Sequence, residues 1–357
     1  MILFNKVYKY LYIFFLLLII IFADFSTNFV KAKNFTIADV EIKEEYTLNF
    51  DKTKALNKAF IKAFEILILK ILNSDDKNIL KDINLNQIKT LVENFSIKEE
   101  KFIDDNYQSK INVEFNKKEV INFLNSKGLI TSSINPIDVI ILPILIDLNK
   151  KEIFTYTKNP FYLNWNLKNK KFHQINYILP NEDIEDFSII RNNFKNIENY
   201  DFDEIFNKYN IKNRILLVLL KEESEIKVFS KLIFESVEMY INNKLNISNL
   251  NDLNNVNKSI LDIKNEYENR WKSINKINTS IILPIRLSIN SDDYILTNKF
   301  EQKLNEIDLV ASYEIERLNS KFMVYKIIFN GTPDKFLKIM KIKNFNLDTS
   351  DEIWKLQ

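Results

Sequence analysis

Cysteine is absent from this sequence, glycine occurs twice and histidine once in 357 residues. Each scarcity closes a class of chemistry. Without cysteine there is no disulfide, no thiolate nucleophile or metal ligand, and no residue to carry a lipoprotein's lipid. Gly128 and Gly331 stand far apart, whereas a phosphate-cradling loop, a dinucleotide fingerprint and a nucleophile elbow all need closely spaced glycines. His173 would have to serve a Ser-His-Asp triad or zinc site without a second histidine; in "NKKFHQIN" it reads as a polar loop or strand-edge residue. Surplus charge is missing too. The formal net charge of +2 resides in residues 1–32, with three lysines and one aspartate, which leaves 47 basic and 47 acidic side chains elsewhere. A neutral chain argues against a nucleic-acid partner, which requires excess Lys and Arg.

What is present begins with an address. Lys6 and Lys9 precede an unbroken apolar run of 12 residues, Leu11 to Phe22, closed by Asp24. A membrane-spanning helix needs about 20 apolar residues and a signal-peptide core roughly 7–15. Val30 and Ala32 supply the small-residue spacing that a signal peptidase accepts. Residues 1–32 are therefore expected to be an export signal cut after Ala32, with an uncleaved inner-membrane anchor as the alternative. Either places the folded part in the periplasm, and membrane contact is expected only through this segment.

The rest divides by pattern into an α+β, multi-domain chain. Residues 33–131 read as strand–helix–strand–strand–helix, a split βαβ-type unit. It opens with the alternating "FTIADVEIKEE" and a helix striped with Ala and Phe, and ends at a glycine cap, Gly128. "LNQIKTLVENF" reads as a short second helix within it. Residues 132–241 read as a small α/β domain, with strands at "IDVIILPILID", "INYILP", "RILLVLL" and "EIKVFSKLIFE" around an irregular aromatic stretch, "YTKNPFYLNWNLKNKK". Residues 242–278 start with eight asparagines in 16 positions and read as linker and polar helix. Residues 279–357 follow the order βαββαβ, the ferredoxin-like arrangement.

Several segments taken together resemble one family. They are "ALNKAFIKAF", "LVENFSIKEEKFIDDNYQSKINVEFNKKEVINFLNSKGL", "VIILPIL", "NPFYLNW", "LPNEDIEDF" and "FNGTPDKFLKIMKIKNFNLDTSDEIWKL". Their order and spacing resemble the exported proteobacterial family catalogued as domain of unknown function 2066, over nearly all of residues 33–357. The family pattern favours Trp after "NP", where Phe161 stands, and Gly before the first acid of the acidic segment, where Asn181 stands. The resemblance implies compartment and architecture, and no reaction.

Two segments carry candidate chemistry. "ILPNEDIEDF" sets Glu182, Asp183, Glu185 and Asp186 after Pro180. Asp183 and Asp186, with Asp147 at the end of a strand, are candidate ligands for a hard cation or a carboxylate-based hydrolase in a cleft between the first two domains. The competing reading is a helix start, Asn181 or Asp183 capping it and the other acids facing its dipole. In "NPFYLNW", Tyr162 and Trp165 are candidates to line a lipid or sugar pocket, against a reading in which Phe161 and Trp165 fill the core. No cofactor is expected. The expected function is a non-catalytic binding or assembly module whose partner is another envelope protein or envelope component.

Overall fold

A computed structural model describes residues 35–167, 173–247, 249–279 and 281–357. The expected export signal lies outside the described residues. The fold is α+β, with three separate sheets. The described chain forms two compact units, residues 35–283 with 329–333, and residues 284–328 with 334–357.

In the first unit, β1 (Phe35–Glu45), β2 (Val92–Ile103) and β3 (Asn106–Phe115) form a sheet in the order β1-β3-β2. Both pairings are antiparallel, so β1 and β2 run parallel on either side of β3, the split βαβ arrangement. Helix α1 (Lys52–Ile71) starts at Asp51, whose carboxylate accepts the Thr53 and Lys54 amides at 2.8 and 3.4 Å. Its buried face alternates Ala55, Ala59 and Ala63 with Phe60, Phe64 and Leu67. Phe64 meets Phe115 of β3 with ring centroids 5.8 Å apart. Helix α2 (Leu85–Leu91) is shorter than its sequence pattern suggests. "VENF" belongs to β2, where Phe95 packs edge-on against Phe60 at 5.3 Å. Helix α3 (Lys117–Ser126) stops as expected before Gly128, whose φ of +75° favours glycine.

A six-stranded sheet follows. Strand β4 (Ile137–Asp147) is its centre, with β5 (Glu152–Phe154) and β6 (Ile175–Ile178) sharing one edge and β7 (Arg214–Glu222) on the other. Beyond β7 lie β8 (Glu225–Phe234) and β9 (Val237–Asn246), both antiparallel. Strand β4 is apolar from Val139 to Ile146 because both its faces are covered. Val139, Ile141 and Leu145 face α4 (Pro160–Trp165) and α7 (Leu253–Ile274). Ile140, Leu142, Ile144 and Ile146 face α5 (Ile184–Asn192) and the one-turn α6 (Asp203–Phe206).

Parts of the expected middle region differ in the structure. The stretch read as irregular contains α4, because Asn159 caps it through the Phe161 amide at 2.9 Å and Pro160 suits its first position. Residues 242–246 are not linker. They finish β9, where Asn242, Asn243 and Asn246 are exposed on an end strand. The helix expected there is present as α7, and its Val256, Ile260, Ile263, Tyr267 and Trp271 enter the core. Where the sequence pattern divides residues 33–131 from 132–241, Ser132 N donates to Ile71 O at 2.8 Å and Ser133 N to Asn275 O at 2.9 Å. Residues 35–283 fall, with 329–333, in one compact unit.

The second unit orders its strands β11-β12-β10-β14-β13. These are β10 (Leu283–Asn290), β11 (Val310–Leu318), β12 (Phe322–Phe329), β13 (Leu347–Asp348) and β14 (Trp354–Leu356), with helices α8 (Tyr294–Asn305) and α9 (Pro333–Ile342). The βαββα run matches expectation. Its sixth element is divided: β13 turns back into β14, which lies parallel to β10.

Candidate functional site

The acidic segment starts a helix. Asp183 sits at the N-cap of α5, accepting the Glu185 and Asp186 amides at 2.7 and 3.4 Å. One turn before Ile190, Asp186 points inward and is wholly buried. A buried carboxylate requires compensation. Lys208 donates to it at 2.7 Å and to Asp183 at 3.1 Å, and the Tyr156 hydroxyl donates to it at 3.1 Å. These bonds hold Asp183 below, and Lys208 above, their ordinary ranges. Burial, then the charge of Asp186, drives the Tyr156 phenol far above its own.

The loop before the helix is tied at almost every residue. The Tyr162 hydroxyl donates to Pro180 O at 2.6 Å, Asn181 N donates to the Tyr209 hydroxyl at 2.7 Å, and the Thr157 hydroxyl donates to Glu182 at 2.9 Å. Tyr162 is thus a strut for this loop, and burial raises its pKa.

Asp147 ends β4 where the chain leaves β4 and β7 in different directions, the position at which open α/β sheets often bind ligands. Here its carboxylate closes a turn, accepting the Asn149 and Lys150 amides at 3.1 Å each, with Lys221 at 3.4 Å. The Lys150 amide leads in holding its pKa low. Among the described residues, no three His, Cys, Asp or Glu side chains gather closely enough to hold a metal ion. Asp183 and Asp186 come together as a pair without Asp147, and a cation there would compete with Lys208.

Trp165 is core. Its ring meets Tyr177 edge-on at 5.6 Å, and only 1% of the residue is exposed. Beside it lies a buried charge that composition alone conceals. Lys264 of α7 donates to Trp165 O at 2.6 Å and stands 5.4 and 5.0 Å from the Trp165 and Tyr177 ring centroids. Burial pulls its pKa down to about 8.

Lys264 is one of three. Glu268 and Lys272 follow at four-residue steps on the same helix, also buried. Glu268 accepts the Gln174 and Ile175 amides at 2.8 Å each, at the start of β6. Lys272 donates to Leu69 O at 2.6 Å and Leu72 O at 2.8 Å, at the end of α1. Each charge therefore serves backbone groups that a neighbouring element leaves unpaired at its terminus. Burial lowers Lys272 to about 8 and raises Glu268. Burial, with Lys272, Lys70 and Lys77 around it, lowers His173 to about 3, so the ring is neutral near pH 7.

A cleft of about 600 Å³ opens on the first sheet, between Glu41, Lys43, Lys62, Glu99, Lys101 and Lys110. Glu99 lies 3.3 Å from both Lys101 and Lys110, and Lys62 donates to Glu41 O at 2.8 Å. Its lining is mainly charged surface side chains, of which Glu99, Lys101 and Lys110 pair with one another.

Sequence reading missed Tyr156, Lys208, Lys264, Glu268 and Lys272. The signal for the last three was their place beside Ile263, Tyr267 and Trp271 on the apolar stripe of α7, which a count of polar residues obscures. No protein-family model matches the chain, and no curated protein matches it.

Proposed function

We propose that this chain is a non-catalytic binding or assembly module of the cell envelope, exported by residues 1–32 and akin to the family it resembles. The carrying observation is that each sheet has a long, largely exposed end strand: β2 with 12 residues, β9 with 10 and β11 with 9. An exposed end strand presents unpaired amides and carbonyls and is a template for strand addition by an extended segment of another polypeptide. Asp183, Asp186 and Lys208, joined as ion pairs, and Lys264 and Lys272, bonded to helix-terminal carbonyls, support the same reading.

The test is a photo-crosslinking side chain placed in living cells at position 96, 240 or 315, one on each end strand, with exposed position 262 on α7 as control. The expected result is a protein adduct at one end strand, lost when a proline is placed in that strand. Adducts no stronger than at 262 for all three strands would overturn the proposal.

A further inference from the structure

We infer that β9 pairs with β9 of a second copy, antiparallel about Ile241, joining two six-stranded sheets into one of twelve strands. The inference deepens the strand-addition reading and rests on it.

The three end strands are unequal. Strand β2 has register shifts at Val92/Asn94 and Ile97/Glu99, and four charged residues in a row from Lys98 to Lys101. Bulges and consecutive charges are devices that blunt an edge. Strand β11 places Glu314, Glu316 and Arg317 within its last five residues. Strand β9, by contrast, follows β8 for all ten residues without a register shift. Its only charged residues are Glu238 and Lys244, and among the described residues β8 is its sole strand partner.

Those two charges lie symmetrically about Ile241. In an antiparallel pair centred there, Glu238 of one copy faces Lys244 of the other, twice over. Val237 faces Leu245 twice, Tyr240 faces Asn242 twice, and Ile241 faces its own equivalent. Even-numbered residues stay on one side of the joined sheet and odd-numbered residues on the other, as the pleat demands. The odd side carries Met239, Ile241 and Leu245, which pack beside α7, and Met239 there faces exposed Asn243 twice. On the even side the charges extend pairs already made, Lys231 with Glu238 at 3.2 Å and Lys244 with Glu225 at 2.7 Å. Each half of the join sets Glu238, held by Lys231, against Lys244 of the second copy, which Glu225 holds and beside which Lys227 is paired with Glu222. Moving the centre to Tyr240 or Asn242 sets Glu238 against Asn242 or Asn246 and loses both charge matches. A self-complementary patch of this kind gives a closed two-fold dimer rather than a filament.

The test is the molar mass of the full-length chain by sedimentation or light scattering. Wild type is expected to be a dimer. Glu238→Lys and Lys244→Glu, each setting like charges opposite one another, should halve the mass, and the double variant Glu238→Lys/Lys244→Glu should restore it. That rescue excludes misfolding as the cause. The natural absence of cysteine adds a second measurement: a single Ile241→Cys replacement should give a disulfide-linked dimer on oxidation. A monomeric wild type, or single charge variants with unchanged mass, overturns the inference. If the monomer still gives an adduct of a different protein from position 240, self-pairing fails while the binding-module reading stands. A monomer with no adduct on any end strand overturns both.

Discussion

Lys272 Nζ donates to the carbonyl oxygens of Leu69 and Leu72, 203 and 200 positions earlier in the chain. These carbonyls end α1, where four oxygens lack partners within the helix. The neighbouring ones are also served: Gln174 Nε2 donates to Lys70 O at 2.7 Å and Ser132 N to Ile71 O at 2.8 Å. One helix terminus is thus completed by three distant parts of the sequence.

Replacing Lys272 with Met removes two charge-assisted bonds and keeps the apolar stem. The free energy of unfolding should fall by about 1.5–3 kcal/mol, read from the urea midpoint at pH 7. The pH dependence carries a second signature. Lys264 and Lys272 titrate near 8 in the folded chain against an ordinary 10.5, so the unfolded chain binds more protons between those values. Stability contributed by these groups therefore rises with pH from about 8 toward 10. Above that the buried tyrosines oppose the rise, because Tyr156, Tyr177 and Tyr267 ionise in the unfolded chain first. A wild-type midpoint no higher at pH 9.5 than at pH 8, relative to a Lys264→Met/Lys272→Met variant, would contradict this account.

His173 acts at the acid end. Its folded pKa of about 3 lies below the ordinary 6.5, so protons taken up by the unfolded chain in that interval favour unfolding. Stability is lost as pH falls below 6.5, by up to about 1.4 kcal/mol for each pH unit from this one group. His173→Gln should flatten the loss between pH 6.5 and 4, in urea titrations run beside wild type. Identical slopes would refute the assignment. Asp147 and Asp183 contribute acid sensitivity to both proteins and cancel in the comparison.

Two buried tyrosines make opposite forecasts from the same substitution. The Tyr156 hydroxyl donates to buried Asp186, whereas the buried Tyr177 hydroxyl has no hydrogen-bond partner among the described residues. Tyr156→Phe should cost about 1.5–3 kcal/mol, and Tyr177→Phe should be neutral or stabilising. Thermal melts of the two variants decide it, and equal losses would defeat the distinction.

Divalent cations test the acidic pair. With Lys208 on both Asp183 and Asp186, Ca²⁺, Mg²⁺ and Mn²⁺ should leave the wild-type melting temperature where chelator leaves it. Lys208→Met exposes the paired carboxylates to a cation, and Ca²⁺ should then raise the melting temperature by a few degrees at saturating concentration. A wild-type shift abolished by Asp183→Asn would instead establish a metal site.

Elements whose signals are local were legible in the sequence. Asp183 caps its own helix within three residues, Gly128 ends α3 by its backbone angle, and β4 declares its two covered faces by an unbroken apolar run. The cluster around Asp186 was not, because Tyr156 lies 30 positions before it and Lys208 22 positions after. Strand β9 was hidden by asparagine, which is unfavourable in a strand interior yet tolerated along an exposed end. The role of α7 escaped because charged residues in an apolar stripe are rarely core, and here each is core by virtue of a backbone terminus 90 or more positions away.

That dependence on α7 sets the order of events as the chain is made. Residues 35–126 leave the ribosome with the first sheet and its helices complete in sequence, but the open end of α1 waits for Lys272. Helix α4 and strand β6 wait for Lys264 and Glu268 in the same way. Contacts this far apart must close long loops before they stabilise anything, which slows folding. The first unit, which also takes in residues 329–333, is therefore expected to close late, and a chain truncated before Leu253 should be open to proteases.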